Sequence, residues 1–384
     1  MGRKRSPLNL NTMSSKIFNH KHPFTVGVEE EYMICSPSTG ELINRANEIM
    51  SSIDSDLKQR FSYELLLSEI EINTSVCRNV DEAVNELIFL RNYVRLLGEK
   101  LDYRIGISGT HPTAKPEDQK FVENKSYNWV SDQLRYYAQR NITFSTHIHI
   151  SVDDPDRAIK ITNATRRWIP ALLAISTNSP FFEGFNTGFK SSRSMQFGAF
   201  PKTNIPVKIE SFESYVGLVE TLMRSESIQE PRQIWWKIRP HLDYGTLEYR
   251  ICDVQRSLSK TKMLVALTQA LVHSYDHKVR LNKNIEDMNY EILNDTFWKA
   301  MRFGFDSIVT DPFDGQKISI RDYIYKMIDN IYPSLEELGN LEVINTLDKV
   351  MSNGTEADEQ LRFEKKNGID NLLLFLMKEV EYNL

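Results

Sequence analysis

The stretch FTVGVEEEYMI, residues 24–34, decides the fold of this chain. Its β-branched, aromatic and aliphatic flanks suit a strand. Side chains on a strand alternate faces, so Glu29 and Glu31 point to one side and Glu30 to the other. Three further stretches also place two ionisable groups two residues apart. They are LLLSEIEINT (65–74) with Glu69 and Glu71, ITFSTHIHIS (142–151) with His147 and His149, and GTLEYRICD (245–253) with Glu248 and Arg250. Laid side by side, these strands give one face of carboxylates, imidazoles and an arginine. Two carboxylates about 4 Å apart repel by roughly 4 kcal/mol at an effective dielectric near 20. Cations relieve that cost, and oxygen-rich sites favour Mg²⁺ or Mn²⁺, normally beside substrate phosphates. The expectation is a metal- and phosphate-handling enzyme on an antiparallel sheet. Half-polar alternation in the strands argues against a buried parallel sheet.

The whole-chain balance narrows the class. With 384 residues the chain can hold one large domain or two modest ones, and the lack of a clean linker favours one, over 21–384. A net charge of −5 gives no basic stripe for nucleic acid. Cys35, Cys77 and Cys252 are unpaired in number and spacing, which suits structural thiols in a reducing, cytoplasmic compartment. The basic start, residues 1–20, lacks an apolar signal core and reads as a disordered tail. The longest apolar run, LLLFLM at 372–377, is too short to span a bilayer.

Between the strands, apolar spacing predicts a helix over 81–101 behind an acidic first turn, and helices over 262–281 and 357–381. Asp154 and Pro155 read as the cap and first residue of a helix running to about Ser176, disturbed at Pro170. Residues 178–206 hold three glycines and three prolines, the composition of a functional loop. Within it Gly184, Gly188, Lys190, Ser191, Ser192 and Arg193 resemble a phosphate-binding loop, although Phe189 breaks the Walker A spacing. Glu64 has the wrong strand parity to join Glu71 unless a turn intervenes. An arginine beside a metal-binding glutamate suits phosphate, which makes Arg239 and Arg250 candidates. Cys252 shares strand parity with Glu248 but reads as a buried thiol. The H-x-H pair also occurs in metal hydrolases, and a metal-dependent hydrolase stays open as an alternative, as does a non-catalytic binding protein.

Seven blocks, GVEEEY, SEIEINTSVCRNVDEA, SGTHP, THIHISVDDPDRAI, the segment STNSP through TNIP, RPHLDYGTLEYRICD and NDTFWKAMRFGFD, resemble in this order the carboxylate–amine ligase family. This is the type 2 glutamate–cysteine ligase group, which includes the YbdK-like bacterial enzymes. The resemblance implies an α+β fold like that of glutamine synthetase and the guanido kinases. It has a curved antiparallel β-sheet funnel for ATP, divalent metal and amino acid, with helices packed outside. It implies that ATP activates the side-chain carboxylate of glutamate as an acyl phosphate, which an amine, cysteine or another amino acid, then displaces. It places Glu29, Glu31, Glu64, Glu71, His147 and Glu248 on metal, and Arg250 and Arg193 on phosphate or the acyl phosphate. Arg239, Lys190 and His149 are further candidates for the nucleotide phosphates. Trp298 and Arg302 match a motif without an assigned role. A homodimer is among the assemblies it allows.

Overall fold

The computed structural model describes residues 17, 18, 20–283 and 287–384. Most of the tail expected over 1–20 lies outside them. Phe18 does not: it is buried and meets the Phe212 ring edge-on at 5.7 Å, so the packed chain begins earlier than the composition suggested.

The strands among the described residues are β1 (Val26–Cys35), β2 (Phe61–Ser62), β3 (Glu69–Asn73), β4 (Arg104–Gly106), β5 (Ser145–Ser151), a small hairpin β6 (Phe181–Phe182) and β7 (Phe185–Asn186), then β8 (Ile238–His241) and β9 (Thr246–Asp253), and a separate pair β10 (Ile308–Thr310) and β11 (Lys317–Ser319). The main sheet runs β2-β3-β1-β5-β9-β8, with β4 paired to the far end of β1, and every pairing in it is antiparallel. All four stretches singled out by their paired ionisable residues are in it.

Alternation sorts each strand. Val26, Val28, Tyr32 and Ile34 of β1, Ile70 and Ile72 of β3, and Ile148 and Ile150 of β5 are buried on one face. Burying each such side chain stabilises by roughly 1.5–3 kcal/mol. Two long helices cover that face. Val80–Leu101 is capped by the Asn79 side chain, which accepts from the Glu82 amide at 2.9 Å, and buries Val80, Ala83, Val84, Leu87, Leu90 and Val94 at helical spacing. Leu258–Arg280 is apolar nearly all round in its middle and forms the centre of the helical layer.

Glu30 points into this core, as its parity requires. It is fully buried and takes the Arg91 guanidinium from the first helix (Nη2 to Oε1, 2.8 Å) and the Thr261 hydroxyl (3.1 Å) from the second. The helix opened by Asp154 and Pro155 runs Pro155–Thr165, loosens into a 3-10 turn, and restarts as Ile169–Ser176 with Pro170 in its first turn. The helix expected over 357–381 is instead two, Glu356–Asn367 and Ile369–Lys378. They break at Gly368, whose φ of 80° an alanine would resist. Among the described residues, no helix is long and apolar enough to cross a membrane.

Candidate active site

Register brings the ionisable residues together on the open face. Glu71 lies opposite Glu31, and Glu29 lies between Asn73 on one side and His147 on the other. His149 lies opposite Glu248, which lies opposite Arg239. The turn needed for Glu64 is present: the chain leaves β2 at Ser62 and re-enters the sheet at Glu69, and Glu64 meets Glu71 carboxyl to carboxyl. Three overlapping groups each offer donor atoms within 4.8 Å of one another: Glu29, His149 and Glu248; Glu29, Glu71 and His147; and Glu31, Glu64 and Glu71. His149, expected beside phosphate, thus stands among the candidate cation ligands.

Hydrogen bonds orient these groups. His147 reaches Glu29 Oε2 through Nδ1 at 3.0 Å and Ser145 Oγ through Nε2 at 2.8 Å. Glu31 Oε2 accepts from the amide and hydroxyl of Ser145, both at 2.6 Å. His149 Nδ1 is fixed by Thr246 Oγ1 at 2.9 Å. Its Nε2 is buried without a hydrogen-bond partner, 3.3 Å from Glu29 Oε1 and 4.0 Å from Glu248 Oε1. An orphaned imidazole nitrogen between two carboxylates is the donor set of a divalent-cation ligand group.

A β-bulge lies at Arg250. Pairing passes from Ile148↔Tyr249 to Thr146↔Cys252, so Arg250 and Ile251 together oppose His147. Arg250 keeps the cleft-facing parity of Glu248 on the near side of the bulge and bonds Glu248 through Nη1, while its Nε has no partner. Beyond the bulge parity is reversed, which carries Cys252 to the core face with Thr146 and away from the face its spacing suggested. Cys35, Cys77 and Cys252 are all free and buried.

The charges are strained in the way crowded carboxylates dictate. Burial, then the Glu31 and Glu69 carboxylates, push Glu64 well above the usual range. Burial, then Glu29, Glu64 and Glu31, do the same to Glu71. Burial would also raise Glu29 and Glu248. Instead His149 and His147 hold Glu29 low, and Arg239, Arg250 and His149 hold Glu248 well below the usual carboxylate range. Burial and then Arg250 lower His147. Burial would lower His149 too, but Glu29 and Glu248 outweigh it and raise it.

These residues line a cleft with two lobes. The outer lobe, about 540 Å³, carries Glu29, Glu71, Glu248, Arg232, Arg239 and Tyr244. The inner lobe, about 100 Å³, carries Glu69, Asn141, Thr143, Ser145, Arg193 and an aromatic wall. Glu31, Glu64, His147 and Arg250 border both.

Three expected residues hold other posts. Lys190 lies outside both lobes and forms an ion pair with Asp358 on the helix Glu356–Asn367. Arg239 spends Nε and Nη2 on Glu248 and Nη1 on the carbonyls of Arg232 and Ile234, which leaves it fixing that carboxylate instead of reaching a phosphate. Arg193 borders the inner lobe but donates through Nη2 to the Arg250 carbonyl (2.8 Å) and through Nη1 to that of Ile251 (3.1 Å), clamping the bulge.

The segment 178–206 is correspondingly packed at its core, not open. The Asp253 carboxylate at the end of β9 accepts from the Asn178 amide (2.8 Å), Ser179 Oγ (2.7 Å) and Ser191 Oγ (2.9 Å). Arg302 stacks over Phe189 at 5.3 Å, and the Met301 carbonyl accepts from the Lys190 and Ser191 amides. The helix Tyr290–Phe303, with Trp298 set edge-on to Phe189 at 6.2 Å, thus buttresses the glycine-rich segment and gives that sequence block a structural role.

Sequence reading placed Glu69 on the ionisable face by parity but gave it no role, and left Asn141, Thr143, Ser145, Tyr127 and Trp235 out. Strand parity could also have flagged Ser145. The other four come from loops or helices that no periodicity aims at the sheet.

Against known proteins, the description "glutamate–cysteine ligase family 2" matches residues 25–372. A protein of Herpetosiphon aurantiacus provisionally named glutamate–cysteine ligase 2 is 33% identical over 367 residues, covering 94% of this chain and 95% of its own. A Solibacter usitatus protein with the same provisional name is 33% identical over 362 residues, covering 94% of each chain. By fold, the chain is similar to a glutamate–cysteine ligase of Francisella tularensis solved with AMP. There the TM-score is 0.73 at 13% identity, over 94% of this chain and 89% of the other. It is also similar to a bifunctional glutathione synthetase of Pasteurella multocida (TM-score 0.65, 13% identity), covering 97% of this chain and 54% of that one. With matching ordered blocks, an antiparallel sheet and an acidic cleft on it, this chain belongs to glutamate–cysteine ligase family 2, whose members are ligases forming carbon–nitrogen bonds.

Proposed function

We propose that the protein is an ATP-dependent carboxylate–amine ligase that joins glutamate through its side-chain carboxylate to an amine, with cysteine or another amino acid as acceptor. The observation that carries this is the acidic face: three overlapping carboxylate and imidazole groups, bordered by Arg250, in one cleft. The reaction has two steps. The glutamate carboxylate attacks the γ-phosphorus of ATP and ADP leaves, giving an acyl phosphate. The acceptor amine then attacks the acyl carbon, phosphate leaves, and an amide remains with one proton released.

Glu29, Glu31, Glu64, Glu71, His147, His149 and Glu248 fit Mg²⁺ or Mn²⁺ in hardness and crowding. Such ions would neutralise phosphate charge and tie the triphosphate to a wall that otherwise repels it. The chain's own residues do the rest. Arg250 presents a buried, unpartnered Nε at the junction of the lobes, suited to an oxygen of the transferring phosphoryl group. Arg239 keeps Glu248 ionised and in place, and Arg193 holds the bulge at Arg250. Ser145 orients both Glu31 and His147. Residues 21–384 would act as one catalytic domain. Buried free thiols accord with a cytoplasmic enzyme.

Incubation with ATP, Mg²⁺, glutamate and a panel of amines is expected to release ADP and phosphate only when all four are present. Absence of ADP across the panel, or turnover without ATP as the hydrolase alternative requires, would end this reading.

A further inference from the structure

The inner lobe contains one carboxylate that the cation-binding groups leave over. Glu69 is on the same face of β3 as Glu71, one pleat repeat further in. It lines the lobe, is 2% exposed, and its Oε1 has no hydrogen-bond partner. No three-donor group among the described residues includes it. A buried carboxylate oxygen without a partner is costly, and a site that keeps one is short of a ligand.

The surroundings say which ligand. Three carboxylates, Glu31, Glu64 and Glu69, face the lobe, against two guanidiniums. Those two are largely committed: Arg193 to the Arg250 and Ile251 carbonyls, Arg250 to Glu248. The remaining wall is apolar and aromatic over Leu65, Tyr127, Val130, Phe197, Phe200 and Trp235 and polar over Asn141, Thr143, Ser145 and His147. Aromatic faces attract an ammonium group and their apolar surface takes its alkyl stem. Glutamate brings two carboxylates and one ammonium to this lobe, cysteine one of each and a simple amine an ammonium alone, so the lobe favours the acceptor over glutamate.

We propose that Glu69 recognises the amine acceptor, holding it as its ammonium in the inner lobe, beside the junction at Glu31, Glu64, His147 and Arg250 where, after losing a proton to water, the amine meets the acyl phosphate. This rests on the ligase reading and adds to it the place and the recognition group of the second substrate.

The probe is cysteamine, an acceptor amine without a carboxylate, titrated calorimetrically into the full chain with Mg²⁺ and ADP. Glu69→Gln, which keeps the shape and removes the charge, is expected to weaken cysteamine binding at least about tenfold. ADP affinity and melting temperature should stay at wild-type values, and Glu69→Asp should recover part of the loss. In turnover, Glu69→Gln should raise the acceptor KM by a similar factor with the glutamate KM within about twofold, a split that a merely structural role would not give. Equal cysteamine affinity in wild type and Glu69→Gln, no cysteamine binding to wild type, or a rise confined to the glutamate KM would overturn the assignment. Glu69-dependent cysteamine binding without ADP release from any amine would sink the ligase reading and leave this one standing.

Discussion

Glu30 and its neighbours Glu29 and Glu31 differ by one position on the same strand, yet they meet opposite electrostatic fates. Glu30 is enclosed by Arg91, Tyr32 and Thr261, so its charge is answered within the chain. Glu29 and Glu31 face Glu71, Glu64 and two histidines, so theirs is answered only in part. The closed side ties the sheet to two helices; the open side holds repulsion that a ligand can relieve. A buried ion pair is weak evidence of net stabilisation, but losing one partner of it is costly. A crowded acidic wall behaves the other way, since losing one carboxylate reduces repulsion.

The largest effect should come from breaking the open side. Glu29→Ala and Glu248→Ala are each expected to lower ADP release by about 10³-fold, and Glu248→Ala, which leaves Arg239 and Arg250 buried without their carboxylate, should also melt below the wild-type value in chelator. Turnover like wild type in both variants would contradict their assigned place on the cation. The closed side should respond inversely. Arg91→Ala leaves Glu30 buried and unpaired and should cost about 3–5 kcal/mol by chemical denaturation, with activity per folded molecule retained. A neutral outcome would show that Glu30 finds another partner.

The two sides also separate by pH. Glu64, Glu69 and Glu71 are raised in the fold, so the folded protein binds more protons than the unfolded chain. Their contribution is fully present below the ordinary carboxylate value and is lost as pH rises through the folded values. Denaturation in chelator should therefore show stability falling through the window above the ordinary carboxylate value, with a shallower slope in Glu71→Gln. Mg²⁺ at about 100 times its Kd should restore about 2.7 kcal/mol. A metal-free profile that is flat in that window for both proteins would remove the repulsion argument. The smallest effect belongs to Lys190, whose partner is Asp358 outside the cleft. Lys190→Ala should leave ADP release within about twofold and cost roughly 1 kcal/mol or less. A large loss of turnover would return that lysine to the phosphates.

Much of this was legible before folding because strand alternation is a local rule. Parity alone separates Glu30 from Glu29 and Glu31, pairs Glu69 with Glu71 and His147 with His149, and marks four stretches for one face. Lys190 shows the limit. A glycine-rich loop with a lysine looks like a phosphate cradle from its composition, but loop residues point where tertiary packing sends them, here to Asp358. Arg239 shows a second limit, since spacing names an arginine beside a glutamate without saying whether its donors are already spent.

What the sequence determined by itself is the alternation of each strand and the chemistry of each face, because both follow from backbone geometry at two-residue spacing. What only the tertiary structure decided is the order and register of the strands, the bulge after Arg250 that sends Cys252 to the core, and the turn that delivers Glu64. Those depend on contacts between segments more than 200 residues apart in sequence, such as Glu30 with Thr261, 231 positions apart. A local pattern carries no record of which distant partner will satisfy it.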